Sequence, residues 1–359
     1  MNFASKIVFV ICLLFAQIAN AQDVHFSQWS AAPIYTNPAN AGVFDGVQRV
    51  ILNYRNQWPS IGAPYKTIAF AYDMPVYFGN KYSKKTNSYL GLGITGLHDK
   101  AGDAALTNNQ LGVTLSSVVR LSKKYTLSVG LQGMVLHRAI NLNEVFNQSQ
   151  YAGAGGFNDN ILSNEVYNGN KVNMDISAGV YLESSPSRRT QSRTNKLTWN
   201  IGLAAFHITR PSQNLLLNSA DPLHIKLVAQ GKMRMDMMNG KYSFMPQAFV
   251  MRQGPNMEIN TGGMYRMRVK DGSRITIFYT EQAISFGLHY RFKDALIPSF
   301  IYEVNNWAIG VSYDVNVSSF TLASNARGGF ELSMKYCNLR GGELYRRRAN
   351  PNNLRNPRF

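Results

Sequence analysis

The chain has 359 residues, with 37 Lys and Arg against 20 Asp and Glu, a formal net charge of +17 at pH 7. A charged fraction of 16% and a mean hydropathy of −0.20 exclude a bundle of apolar membrane-spanning helices. Two cysteines exclude a disulfide framework and a thiolate metal cluster. The length would allow about two soluble domains, yet no linker or shift of composition divides the chain before residue 338.

Residues 1–21 read as a leader peptide. Lys6 precedes the apolar run Ile7–Ala16, which is too short to span a bilayer, and Ala19-Asn20-Ala21 is a small–x–small cleavage site. Gln22 is then the first mature residue, and Cys12 leaves with the leader. Cys12 is not a lipoprotein cysteine, because Ile11 precedes it inside the apolar run. Export leaves Cys337 alone and removes nucleic acid as a partner despite the basic charge.

Residues 22–45 are assigned to an N-terminal periplasmic or plug segment, and residues 46–337 to a meander of strands. Candidate strands lie near 46–56, 65–75, 88–98, 107–121, 125–138, 172–184, 196–208, 223–236 and 241–252, then 257–269, 273–280, 283–292, 295–303, 306–317 and 328–337. The cleanest is Trp307 to Val317, where Trp307, Ile309, Val311, Tyr313, Val315 and Val317 share one face and Ala308, Gly310, Ser312, Asp314 and Asn316 the other. Segments of about ten residues with one apolar and one polar face predict an all-β fold, a single-chain antiparallel transmembrane β-barrel in the outer membrane. A secreted sandwich or propeller also alternates, but no blade motif is present. Fifteen segments conflict with the even strand number of such barrels, so about fourteen strands are expected, with 257–292 the stretch to revise. Polar-face charges of both signs predict a hydrated lumen. On that basis Gly310 and Ser312 should tolerate polar substitution better than the lipid-facing Ile309 and Val311.

Ser122–Lys124, Met237–Gly240 and Lys270–Gly272 read as tight turns, and Ala139–Lys171 and Thr209–Pro222 as long loops. Short turns on the periplasmic side and long loops outside set the expected orientation. The first long loop carries Tyr151, Phe157 and Tyr167 among Asn and Gly, the composition of a solvated loop or of a lid. Arg188 to Arg193 is a basic polar connection.

Chemistry is sparse. His25, His98, His137, His207, His224 and His289 show no metal-ligand spacing, and no G-x-S-x-G elbow or phosphate loop is found. His289 beside Arg291 is the histidine best placed for a Ser–His site assembled in space, yet a lone lumen histidine is usually a polar side chain facing water. No catalytic residue, cofactor or metal is assigned.

Three runs carry a resemblance: Gln22-Asp23-Val24-His25-Phe26-Ser27-Gln28-Trp29, Thr36-Asn37-Pro38-Ala39-Asn40-Ala41-Gly42, and Asn53-Tyr54-Arg55-Asn56-Gln57-Trp58-Pro59. With Gly287-Leu288-His289-Tyr290-Arg291, Tyr313-Asp314 and Gly328-Gly329-Phe330-Glu331-Leu332, this order over residues 22–337 resembles the PorP/SprF family. The resemblance implies an outer-membrane barrel of the type IX secretion system of Bacteroidota, supporting secretion and, in gliding relatives, export and surface attachment of large adhesins. It implies partners among the other secretion components of the periplasm and outer membrane, a secreted adhesin or cargo, and outer-membrane lipid. A passive porin or uptake channel is the alternative. The signature positions Asn37, Pro38, Gly42, Arg55, Trp58, Pro59, Tyr313 and Asp314 also have an architectural reading. Asn37-Pro38 is turn chemistry, Gly42 permits positive φ, and Trp58 suits a membrane interface.

Residues 338–359 extend past the closing strand. They carry Arg340, Arg346, Arg347, Arg348, Arg355 and Arg358 against Glu343, with Pro351, Pro357 and little to bury. They read as a disordered basic periplasmic tail, either passive or a docking peptide for acidic partner surfaces or anionic headgroups, with Arg346, Arg347, Arg348, Arg355 and Arg358 as contacts.

Overall fold

The computed structural model describes residues 23–338 except 61–63, 78–87, 103, 123, 143–147, 185–196, 217–220, 271–280, 319–320, 322–324 and, between 152 and 166, residues 152, 154, 155, 157, 159, 160 and 162–166. The expected leader, Arg188 to Arg193 and the tail arginines fall outside the described residues, as does Phe157.

Fourteen of the alternating segments become strands, because their two faces meet different surroundings. The strands are β1 (Arg49–Gln57), β2 (Tyr65–Val76), β3 (Ser88–Ala101), β4 (Leu106–Arg120), β5 (Tyr125–Ala139), β6 (Asn170–Ser184) and β7 (Leu197–Phe206), then β8 (Lys226–Met237), β9 (Tyr242–Gln253), β10 (Asn256–Lys270), β11 (Gln282–Arg291), β12 (Ala295–Val304), β13 (Trp307–Asn316) and β14 (Arg327–Cys337). Every strand pairs antiparallel with the next, and β14 returns to β1 from Arg49↔Cys337 to Gln57↔Gly329, closing a fourteen-stranded barrel with no free edge. The surplus segment resolves here. β10 pairs directly with β11, Lys270 opposite Gln282, so the wall omits the candidate strand 273–280, which lies outside the described residues. Lys270–Gly272 is therefore not a tight turn between wall strands.

Outward positions form an apolar belt, with Leu111, Val113 and Leu203 each 66% exposed. Aromatic pairs rim it at the end where β1 begins: Tyr125–Trp199, Tyr242–Tyr265 and Trp307–Tyr336, with ring centroids 6.1, 5.8 and 4.8 Å apart. Tyr290, Phe292, Tyr313 and Phe330 are exposed towards the opposite end. Amphipathic rings at two levels are the arrangement a bilayer's headgroup regions favour. We call the end where β1 begins and β14 finishes the near end. Connections 140–169 and 207–225, the two longest, both lie at the far end and touch through the Tyr167↔Leu216 bridge.

Inward positions are buried, polar ones included, because the lumen is filled. Residues 23–45 run through it from the far end, where Asp23 N–H donates to Gln253 at the finish of β9, to the near end, where Val47 N–H donates to the Asn338 carbonyl. The path is built from short irregular pieces, a single-turn helix Pro33–Thr36 between the 3₁₀ turns Trp29–Ala31 and Pro38–Asn40. The expected hydrated lumen is thus corrected: charges on the inner face pair with this segment and with one another.

Candidate functional site: the filled lumen

Four sets of contacts hold the segment. The tightest steric fit is around Asn37–Gly42. Asn37 sits in extended backbone, φ −162° and ψ 120°, as a residue before proline must, and its side-chain oxygen accepts from Ala39 N–H at 2.8 Å. Its amide also donates to the Val180 and Leu203 carbonyls of the wall at 3.0 and 3.2 Å. Gly130 admits the chain here, since a Cβ on it would stand 2.5 Å from Ala39 N. Ser128 and Ser116 then donate to the Ala39 and Ala41 carbonyls, each at 2.7 Å. Gly42 takes φ +69° and donates its N–H to Asp73 at 2.7 Å. Asp73 is in turn gripped by Arg49 through two bonds of 2.8 and 2.7 Å.

Mid-lumen, Trp29 is 1% exposed and stacks on Phe249 at 5.3 Å, with Lys232 Nζ 4.7 Å from the centroid of its ring. Met134, Leu136, Phe206, Val228 and Met251 complete the apolar cluster around it. An aromatic anchor beneath an ammonium is a favourable buried arrangement because the ring quadrupole faces the cation.

Towards the far end lies an ionic cluster. Glu331 accepts the Ser27 and Gln28 N–H groups at 2.6 and 2.8 Å, one on each oxygen. Arg55 Nη1 lies 3.1 Å from Glu331 and donates to the His25 carbonyl; its Nη2 lies 3.4 Å from Asp314. Asp314 also receives Ser27 Oγ at 2.7 Å and Arg291 at 3.0 Å, and Arg291 donates to Ser27 Oγ. Burial, reinforced by the Arg55 and Arg291 guanidinium groups, holds His25 well below its ordinary pKa, so it sits neutral 3.4 Å from Glu258.

The fourth set is Asp23, His207, Asp175 and Lys226. His207 Nε2 is 2.5 Å from Asp23 and Nδ1 2.7 Å from Asp175, while Lys226 reaches Asp23 at 2.9 Å and Thr209 bonds Asp175 at 2.7 Å. Burial would push the Asp23 carboxyl up, but Lys226 and then His207 outweigh it and hold it below the usual range. Burial would likewise lower His207, and Asp23 with the bond to Asp175 raises it instead. An imidazole between two carboxylates carries both protons.

The signature positions are thereby located. Asn37, Pro38 and Gly42 lie within the lumen segment itself, Arg55 and Asp314 meet in the ionic cluster, and Tyr313 faces outward. Trp58 and Pro59 stand at the far rim of β1, Trp58 with φ +55° and its ring 5.5 Å from Tyr65. His289 is buried on the inner face, and a Cβ on Gly262 would lie 2.6 Å from its ring. Gly310 and Ser312 do not face open solvent: Gln28 donates to Ser312 at 3.1 Å and would lie 2.6 Å from a Cβ on Gly310. Their expected tolerance is withdrawn for that reason. The Asp23–His207–Asp175 set, the Trp29–Lys232 contact and the Arg49–Asp73 pair were not anticipated, since no local spacing signals contacts between residues this far apart. Among the described residues, no group of three or more His, Cys, Asp or Glu could hold a metal ion.

A family model described as "Type IX secretion system membrane protein PorP/SprF" matches residues 18–336. No curated protein matches the sequence. Among solved structures, the chain is similar to a FadL homologue of Pseudomonas aeruginosa (11% identity, TM-score 0.44, covering 86% of this chain and 94% of that one). It is also similar to the CymD monoaromatic hydrocarbon channel (10%, 0.43, 86% and 92%) and to BamA from Haemophilus ducreyi lacking POTRA domains 1–3 (8%, 0.41, 81% and 70%).

Proposed function

The chain belongs to the PorP/SprF family of type IX secretion system membrane proteins, and we propose that it is a plugged, non-catalytic outer-membrane component that supports export or surface anchoring of secreted cargo such as large adhesins. The filled lumen carries this reading. A passive porin needs an aqueous path, whereas this lumen is crossed by residues 23–45, held by the Glu331, Asp73 and Asp23 anchors. A cavity of about 70 Å³ beside Lys232 and Glu183 remains near one end, room for a few waters.

The family role implies contact with other secretion components, and Asn338, the last described residue, sits at the near end beside the start of β1. We assign Arg346, Arg347, Arg348, Arg355 and Arg358 to a salt-sensitive contact with an acidic periplasmic surface, with the near end facing the periplasm.

A deletion strain tests the reading. Loss of cargo from the cell surface with unchanged uptake of small solutes supports it. Unchanged surface cargo with altered solute uptake refutes it in favour of the passive channel.

A further inference from the structure

On the outer surface of β2–β5, the apolar belt gives way towards the far end to a polar patch. Lys66 and Lys100 stand directly opposite each other across β2 and β3. One step along, His98 opposes Asn109, and Asn109 opposes His137. These five alternate out of register with Thr67, Leu97, Asp99 and Leu136, which are buried inward. Lys66, His98 and Lys100 are exposed. Among the described residues, Asp99, next to Lys100 in sequence, points to the lumen side, where it accepts from Thr67 at 2.6 Å. Immediately below lie the lipid-facing Ile68, Phe70, Leu111, Val113 and Val135.

Two ammonium groups directly opposed across a sheet repel, and the pair is destabilising unless an anion sits between them. The histidines are ordered around it. His98 Nδ1 lies 2.7 Å from Asn109 Oδ1, and Asn109 Nδ2 lies 3.1 Å from His137 Nδ1. With the amide in that orientation His137 accepts through Nδ1 and carries its proton on Nε2, a further donor. We propose that this patch binds the phosphate of a phosphorylated glycolipid in the outer leaflet, with its acyl chains lying along the Ile68–Phe70–Leu111–Val113 surface. Free phosphate would gain nothing from the apolar strip. The inference places the far end outside, as the long connections 140–169 and 207–225 do.

The test compares wild-type protein and the Lys66→Gln/Lys100→Gln double variant, purified from outer membranes and washed in detergent. Mass spectrometry reads the retained lipid, and heat-modifiable mobility confirms that both barrels are folded. Wild type should retain phosphorylated glycolipid, the double variant about tenfold less, and enzymatic removal of the lipid phosphate should abolish retention by wild type. Equal retention by the two proteins overturns the proposal, as does wild-type retention of glycerophospholipid alone. If the double variant fails to assemble, competition of phosphorylated against dephosphorylated glycolipid on wild type decides, and equal binding of both overturns it.

Discussion

The Ser27 N–H lies 2.6 Å from a carboxylate oxygen of Glu331, although 304 positions separate the two in the chain. Glu331 is on β14 and its neighbour Arg55 on β1, the two strands that close the barrel, paired Arg55↔Glu331. The lumen segment is therefore bonded to the seam itself, which couples its insertion to closure of the wall.

Glu331→Ala should be severely destabilising, because it leaves the buried Ser27 and Gln28 N–H groups without their acceptor and takes from Arg55 one of its two carboxylate partners. Removing one partner of such a buried pair costs about 3–5 kcal/mol. Glu331→Gln keeps an acceptor oxygen and should cost less. Thermal loss of heat-modifiable mobility in detergent measures both, and equal midpoints for alanine and glutamine would show that charge and acceptor count are irrelevant here.

Gly130→Ala should loosen the lumen segment, since the new Cβ would stand 2.5 Å from Ala39 N, while Gly133→Ala, with nothing within 4 Å, should be silent. Limited proteolysis within residues 23–45 reads the difference. Equal protection in the two variants would place the segment elsewhere.

The Asp23–His207–Asp175 set predicts a pH response. His207 titrates above its ordinary 6.5 in the fold, so its contribution is complete below 6.5 and is lost as pH rises through the raised value. Asp23 titrates below its ordinary 3.8, so its contribution is complete above 3.8 and is lost only on strong acidification. Cleavage near Asp23 should therefore increase as the pH rises above 6.5. His207→Gln, which cannot be an imidazolium, should abolish that dependence; a pH response unchanged in this variant would assign it to other groups.

On the outer face, Ile309 is 41% exposed, and Ile309→Arg should cost about 2–4 kcal/mol in the bilayer. Gly310→Asn should also fail, through its contact with Gln28. Assembly of Gly310→Asn at the wild-type level in outer-membrane fractions would show that Gln28 is not packed there.

The wall was legible in the sequence because period-two patterning is a local property, and Trp307–Val317 displays it without any knowledge of the partners. The same locality misled at 273–280: Ile275, Ile277 and Tyr279 alternate as a wall strand would, but only the pairing of Lys270 with Gln282 decides which segments the wall uses. The lumen contents were least legible. Residues 23–45 form turns too short for any periodicity. The charges that receive them sit on many different strands and a loop, so Arg55, Arg291, Asp314 and Glu331 read separately as polar-face residues. The family signature marked several of these positions without revealing that they meet.

Conductance in a planar bilayer tests the central claim most directly. Purified wild type at neutral pH should give no steady current, and Glu331→Ala or deletion of residues 24–41, in protein shown to be folded, should open one. A steady ohmic wild-type conductance that neither change alters would contradict a lumen closed by its own N-terminal segment.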